Sequence, residues 1–390
     1  MRKSIAVLGS TGSIGDSTLK VVDANPDIFS INLLAAESNT DLIYEQCKSY
    51  SPKYVYLKDK LSSKDLKAKL NSNNSKISVI NEIDFLQVIS SSEVEIVVAG
   101  IVGIAGLETV YRAASSGKTI LLANKESYVV AGELLNKLAL KNNSIIFPID
   151  SEHSAIHQCL SGIPDPRKSV KRVTLTGSGG PFLNKDLKHF HKITPEEATN
   201  HPVWKMGKKI SVDSATMMNK GLEVIEAKWL FELDPGQIDI LIHPEGIVHS
   251  LVEFEDSSVI AQMSVPDMKI PIAYGLGFPK RINSFSESLN LQEIGQLTFS
   301  KPDLIKFPSI SLAKEALNLG GTASALLNAS NEEAVKAFLN KRISFNQITE
   351  IISFVMDTIQ TKTVKELACV FEADTQGRES AINRLQQLNT

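Results

Sequence analysis

Ser4-Ile-Ala-Val-Leu8 runs directly into Gly9-Ser-Thr-Gly12-Ser-Ile-Gly15. The first five residues read as a buried parallel strand. A helical stretch follows, from about Gly15 to Ala24. Glycines between such a strand and such a helix let the backbone pass close to a pyrophosphate, which rests on the helix N-terminus. The spacing is GxxGxxG, a variant of the dinucleotide fingerprint GxGxxG. A tight turn with no ligand would use the same glycines. Placement between the first strand and the first helix favours dinucleotide binding, with Thr11, Gly12, Ser13 and Ile14 at the turn.

Further strands are predicted at Phe29–Ala36, Tyr54–Leu57, Glu93–Ala99, Thr119–Ala123 and Ser144–Ile149, with helical or polar segments between. That alternation is the signature of a parallel sheet. Beyond it, Val170–Thr176, Ile238–His243, Ile247–Phe254 and Val259–Ser264 read as strands, the last two joined by a hairpin at Glu255-Asp-Ser-Ser. The period from residue 309 onwards is helical: 309–319, 322–340, 345–360, 363–371 and 374–388. The expected architecture is α/β. A Rossmann-like parallel sheet spans 1–149, a central α+β catalytic domain 150–278, a linker 279–308 and a C-terminal helical bundle 309–390.

Composition narrows the function. The 390 residues are 43% hydrophobic and 22% charged, ordinary for a globular protein, with a formal net charge of -3. Nothing in that balance draws the chain to nucleic acid or anionic membrane, so attraction for an anionic substrate must be local. Cys47, Cys159 and Cys369 lie far apart and form neither a disulfide framework nor a cysteine zinc site, which fits a reducing compartment. The first strand leaves no room for a signal peptide, and no apolar run approaches a membrane span. A cytoplasmic enzyme is expected.

The chemistry gathers at strand ends. Glu37-Ser38-Asn39 follows the second strand; an acid there ordinarily bonds the ribose hydroxyls of NAD and repels the 2′-phosphate of NADP. Asn124-Lys125-Glu126 follows another strand, and Asp150-Ser151-Glu152 another. Asp150 and Glu152 repel each other unless they are solvated or share a cation; alone, they also read as a solvated helix start capped by Ser151. His153 and His157 are four apart on one helix face, but no third nitrogen or sulfur ligand is spaced to join them in a zinc site. Gly177-Ser178-Gly179-Gly180 can form an anion nest. Asn200 to Lys209 is a basic loop with His201 and an exposed-looking Trp204. A helix capped by Asp213 or Ser214 is predicted to end near Phe231, with Asn219, Glu223 and Glu226 on one face and Lys220 one turn before Glu223. Three oxygen ligands, Asp150, Glu152 and Glu223, suit Mg²⁺ or Mn²⁺ better than zinc. Lys125, Ser178, His201, Ser214, Asn219 and Lys220 can hold a phosphorylated polyol. With a nicotinamide domain, the set implies hydride transfer on a small phosphorylated hydroxy-carbonyl compound. A semialdehyde dehydrogenase would need a nucleophilic thiol, and no cysteine lies in these clusters. A nucleotide-sensing protein would leave the acids merely solvated.

Six motifs carry a family resemblance: Leu8-Gly-Ser-Thr-Gly-Ser-Ile-Gly15, Leu121-Leu-Ala-Asn-Lys-Glu-Ser127, Pro148-Ile-Asp-Ser-Glu-His153, Leu175-Thr-Gly-Ser-Gly-Gly-Pro-Phe182, His201-Pro-Val-Trp204 and Lys209-Ile-Ser-Val-Asp-Ser-Ala-Thr-Met-Met-Asn-Lys-Gly-Leu-Glu223. Together they resemble the 1-deoxy-D-xylulose 5-phosphate reductoisomerases. The resemblance implies a homodimer that uses NADPH and a divalent metal held by Asp150, Glu152 and Glu223. It implies substrate contacts from Lys125, Ser151, Glu152, Ser178, His201, Ser214, Asn219, Lys220 and Glu223. Thr11 to Ile14, Asn124, Glu126 and Gly207 would contact the cofactor; Glu37, Ser38 and Asn39 are expected at its ribose end from their place after the second strand, where Ser38 and Asn39 can donate hydrogen bonds. Trp204 would lie on a closing flap with Met206 near the site. The family's turn after the second strand often carries Gly and a basic residue. Here it is Glu37-Ser38-Asn39, which leaves the source of 2′-phosphate affinity open.

Overall fold

The computed structural model describes residues 2–204 and 206–388. The chain divides into two compact units, Met1–Ser127 with Leu135–Ser154 and Asp267–Glu287, and Tyr128–Leu134 with Ala155–Pro266 and Ser288–Thr390.

The first unit is built on seven strands: β1 (Lys3–Leu8), β2 (Phe29–Ala36), β3 (Tyr54–Leu57), β4 (Ser78–Val79), β5 (Ile96–Ala99), β6 (Thr119–Leu122) and β7 (Ile145–Pro148). Their order is β4-β3-β2-β1-β5-β6-β7, and every pairing is parallel. The expected Rossmann-like sheet is present; only the two-residue β4 was not foreseen. Strand order reverses direction between β1 and β5, the place where such sheets open a ligand crevice at their carboxyl ends. Ile5, Val7, Leu34, Val55, Val98 and Leu121 are fully buried in the core. The helix Lys269–Gly277, far along the chain, adds Ile272, Ala273 and Leu276 to the same core. Burial of each large side chain is worth roughly 1.5–3 kcal/mol.

The second unit holds β8 (Val170–Gly177), β9 (Ile238–Ile242), β10 (Val248–Phe254) and β11 (Val259–Met263) in the order β11-β10-β8-β9. β10 runs antiparallel to β8 and β11, and β8 pairs parallel with β9. The hairpin between β10 and β11 lies where the sequence predicts it. Phe182, Phe190, Phe307, Phe338 and Phe345 interlock with centroids 5.3–6.2 Å apart. Long helices close the chain: Ser309–Leu319, Ala323–Leu339, Gln347–Thr358 and Leu367–Leu388.

Three expectations need correction. The last two helices, expected at 363–371 and 374–388, are one. Nothing between Phe371 and Asp374 breaks a helix, and Asp374 pairs with Arg378 one turn on. The start is delayed to Leu367 because Lys362 exchanges hydrogen bonds with Thr322 through its N–H and carbonyl. The helix expected from Asp213 or Ser214 to Phe231 is two, Lys208–Ala215 and Met218–Phe231. They part at Met217, in the left-handed region at φ 61, where Thr216 Oγ1 takes the Met218 N–H. Asp213 is therefore not a cap. Finally, Lys208 and Lys209 open a helix and do not belong to the basic loop, of which Lys205 lies outside the described residues. No helix among the described residues is long and apolar enough to cross a membrane.

Candidate active site

In the first unit the glycine turn is shaped by close approaches. Gly9 has φ 78, and a Cβ there would sit 2.6 Å from the Gly100 carbonyl oxygen. A Cβ on Gly15 would collide with the Ser10 backbone. At Gly12 it would meet only Gly9 O, at 3.3 Å, a tighter approach than most Cβ atoms make but no collision. The Ser13–Asp23 helix has no side-chain cap, while those beginning at Thr40, Lys60 and Glu82 are capped by Asn39, Asp59 and Asn81. Its first N–H groups are left for an anion. Thr11, Gly12, Ser13 and Ile14 thus fit a dinucleotide pyrophosphate. Sequence reasoning missed Gln46, which receives the Ser10 Oγ–H and donates back to Ser10 O, both at 2.9 Å. Glu37, Ser38 and Asn39 lie exposed beyond β2.

β5, β6 and β7 are neighbours, so Gly100, Asn124-Lys125 and Asp150 share one carboxyl edge. Asn124 caps the Lys125–Asn142 helix by accepting the Ser127 N–H at 3.0 Å. Its Nδ2 donates to Gly103 O at 3.0 Å and to Ile101 O, binding the Gly100–Gly106 loop to the turn. Lys125 is 6% exposed and ion-pairs with Asp150. Ser151 Oγ–H donates to Glu152 Oε2 at 2.6 Å, at the start of the Ser151–Leu160 helix. Glu126 is buried nearby in sequence. His153 is fully buried, its Nδ1 3.9 Å from Asp150 Oδ2. Burial holds the His157 pKa below its usual value.

In the second unit, β8 delivers Gly177 to Gly180. Gly179 and Gly180 have φ 83 and 68, and a Cβ on Gly180 would lie 2.8 Å from Ser214 O. The loop therefore packs hard against the end of the Lys208–Ala215 helix, which presents Ser214. A Cβ on Gly177 would touch the Lys220 stem at 2.9 Å. His201 Nδ1 accepts the N–H groups of Val203 at 3.1 Å and Trp204 at 2.9 Å. That leaves Nε2 protonated and donating to Ser178 Oγ at 3.1 Å. Burial first, then the nearby Lys220 charge, pushes the His201 pKa down to about 4, so the ring is neutral at physiological pH. Trp204 is half-buried rather than exposed, its ring 6.3 Å from His249. Met206 is half-buried, and Gly207 begins the Lys208–Ala215 helix with no side-chain cap.

The Met218–Phe231 helix buries Met218, Leu222 and Ile225 as an apolar stripe. Glu223 is completely buried. Asn219 Nδ2 donates to its Oε1 at 2.5 Å, and Lys220 pairs with its Oε2 at 2.6 Å. The structure thus joins Lys125 with Asp150 and Ser151 with Glu152 in one unit. It joins Ser178 with His201, and Asn219 and Lys220 with Glu223, in the other. Two of the thiols are poor nucleophiles: burial pushes Cys47 up to about 12 and Cys159 to about 11.

Comparison with known proteins bears on every part of the chain. The family model of 1-deoxy-D-xylulose 5-phosphate reductoisomerase matches residues 5–132. Two models of reductoisomerase C-terminal domains match 146–231 and 263–380. A reductoisomerase of Burkholderia lata is 46% identical over 98% of this chain and 96% of its own. That of Paraburkholderia phymatum is 47% identical over 98% and 95%. A crystal structure of DOX-P reductoisomerase in complex with NADPH, fosmidomycin and magnesium is 41% identical, covering 100% of this chain and 99% of that one, with a TM-score of 0.95. The Zymomonas mobilis enzyme in complex with NADPH is 38% identical over 98% of each chain, with a TM-score of 0.91. The chain belongs to the 1-deoxy-D-xylulose 5-phosphate reductoisomerase family.

Proposed function

We propose that this protein converts 1-deoxy-D-xylulose 5-phosphate to 2-C-methyl-D-erythritol 4-phosphate, an early step of the non-mevalonate route to isoprenoid precursors, using NADPH and Mg²⁺ or Mn²⁺. The observation that carries the reading is kinship along the whole chain, at 46–47% identity. Asp150, Glu152 and Glu223 are the proposed metal ligands. Their donor chemistry fits: all are carboxylates, the oxygen donors that hard cations take. When bound, the metal supplies Lewis acidity and the nicotinamide a hydride.

The protein's own groups do the rest. Lys220, Ser178, Ser214 and Asn219 grip phosphate and hydroxyls; the guiding feature is a buried ammonium beside the Gly177–Gly180 loop, where backbone N–H groups add to its field. Lys125, Ser151, Glu152 and Glu223 face the reacting carbons, with Lys125 placed to move protons. His201 holds the Ser178 hydroxyl and the Val203–Trp204 backbone at once, so loop and phosphate grip act together. The loop from His201 to Gly207 closes over substrate and excludes water. Thr11 to Ile14, Glu37 to Asn39, Asn124, Glu126 and Gly207 are assigned to the cofactor. Asn124 does so by fixing backbone, since its side chain is already engaged.

We keep the functional division into a cofactor domain at 1–149, a catalytic domain at 150–278, a linker at 279–308 and a helical domain at 309–390. A homodimer is supported by the edge strand β11, where Val259 and Ile260 are 56% and 46% exposed. A cytoplasmic setting is supported by three free cysteines. The test is initial rates with the deoxyxylulose phosphate, NADPH or NADH, with and without Mg²⁺ or Mn²⁺. Turnover should require the metal and fall about 100-fold or more in Glu223→Gln. Unchanged turnover in that variant would remove Glu223 from the ligand set.

A further inference from the structure

The acid after β2 sits awkwardly with NADPH, because Glu37 alone should repel a 2′-phosphate. The neighbouring strand offers an answer. β2 and β3 pair from Leu33 with Tyr54 to Ala36 with Leu57. The ladder continues past the strand ends: the Lys58 N–H donates to Ala36 O at 3.1 Å, and the Asp59 N–H to Glu37 O at 2.9 Å. Glu37 and Lys58 therefore occupy matching positions on adjacent parallel strands, about 4.8 Å apart, and both are exposed.

The local acids that could compete for Lys58 are committed elsewhere. Asp59 accepts the Ser62 N–H at 2.8 Å and the Ser62 hydroxyl at 2.7 Å. Asp41 pairs with Lys69 at 2.8 Å. Among the described residues Lys58 has no carboxylate within ion-pair distance. Asn39 Oδ1 is tied to the Leu42 N–H at 3.1 Å, which leaves its amide nitrogen as a donor.

We infer that Lys58, delivered by the turn after β3, is the specificity-determining cation for the 2′-phosphate of NADPH. It offsets the Glu37 charge and supplies ammonium donors, while Ser38 and Asn39 add neutral ones. The inference rests on the NADPH reading above. It places the discrimination one strand away from the loop where the family resemblance leads one to look.

The test is calorimetric binding of NADPH and of NADH to the full-length protein, without substrate, so that no turnover enters the readout. Lys58→Ala should weaken NADPH roughly tenfold, the scale of one partly exposed charge-assisted hydrogen bond, and leave NADH within about twofold. Lys58→Arg should restore NADPH affinity, and Glu37→Gln should tighten it. Equal loss for both dinucleotides would mean that Lys58 only supports the loop, and would overturn the inference. So would an unchanged NADPH affinity, which would hand the phosphate to Ser38 and Asn39. Wild-type protein that binds neither dinucleotide would overturn the cofactor reading itself.

Discussion

His201 is tuned to stay neutral. With its pKa pushed to about 4, against 6.5 in an unfolded chain, the folded protein declines a proton that the unfolded chain accepts. Stability therefore falls as pH drops from about 6.5 towards 4, and the penalty is constant below that. Protonation would also end the Nδ1 acceptance of the Val203 and Trp204 N–H groups. The expected NMR titration of the His201 ring has a midpoint near pH 4; a midpoint near 6.5 would contradict the buried, Ser178-bonded ring. Residues of this sort differ in how visible they are beforehand. Gly9 to Gly15, Lys125, Asp150, Glu152 and Glu223 stand out because their chemistry is rare at strand ends or on a mostly apolar helix, and His201 because it sits with a Trp in a lysine-rich loop. Gln46 and the clamping role of Asn124 do not. Their partners lie 36 and 21 to 23 residues away, and an isolated Gln or Asn carries no local sign of such a bond.

At the scale of elements, the Lys208–Ala215 helix is tied to the Ala323–Leu339 helix through Asp213. Asp213 is 1% exposed and pairs with Lys209 at 2.7 Å. It also accepts Asn331 Nδ2 at 2.9 Å from the Ala323–Leu339 helix. Asn331→Ala leaves a buried carboxylate oxygen without its donor and should cost about 2 kcal/mol, read by urea unfolding. Since Ser214 is the next residue, the substrate KM should rise while kcat changes little. Equal stability in wild type and variant would show that water satisfies Asp213. Apart from the two-residue β4, strands were legible because each is a short apolar run stopped by Gly, Pro or polar residues. Helix ends were less so. The break at Met217 depends on a left-handed residue with no glycine to announce it. The late start of the final helix depends on Thr322 holding Lys362 back.

For the whole molecule, chain order and compact units do not coincide. The Lys269–Gly277 helix completes the core of the first unit with Ile272, Ala273 and Leu276, although the sequence alone gave no reason to separate it from the central region. Gly275 fits there because a Cβ would press on Phe147 at 3.1 Å and Ile149 at 3.3 Å. A fragment of residues 1–149 should therefore bind hydrophobic dye and lack a sharp thermal transition, whereas the same fragment fused to 265–288 should regain one. A sharply cooperative 1–149 fragment would show that this helix is dispensable.

That late helix also sets a clock on the ribosome. About 120 residues separate β7 from it, so at ordinary elongation speeds the nascent sheet waits roughly ten seconds for its cover. Throughout that interval an apolar face stands bare beside the exit tunnel, which makes the half-made chain a natural client for holdase chaperones.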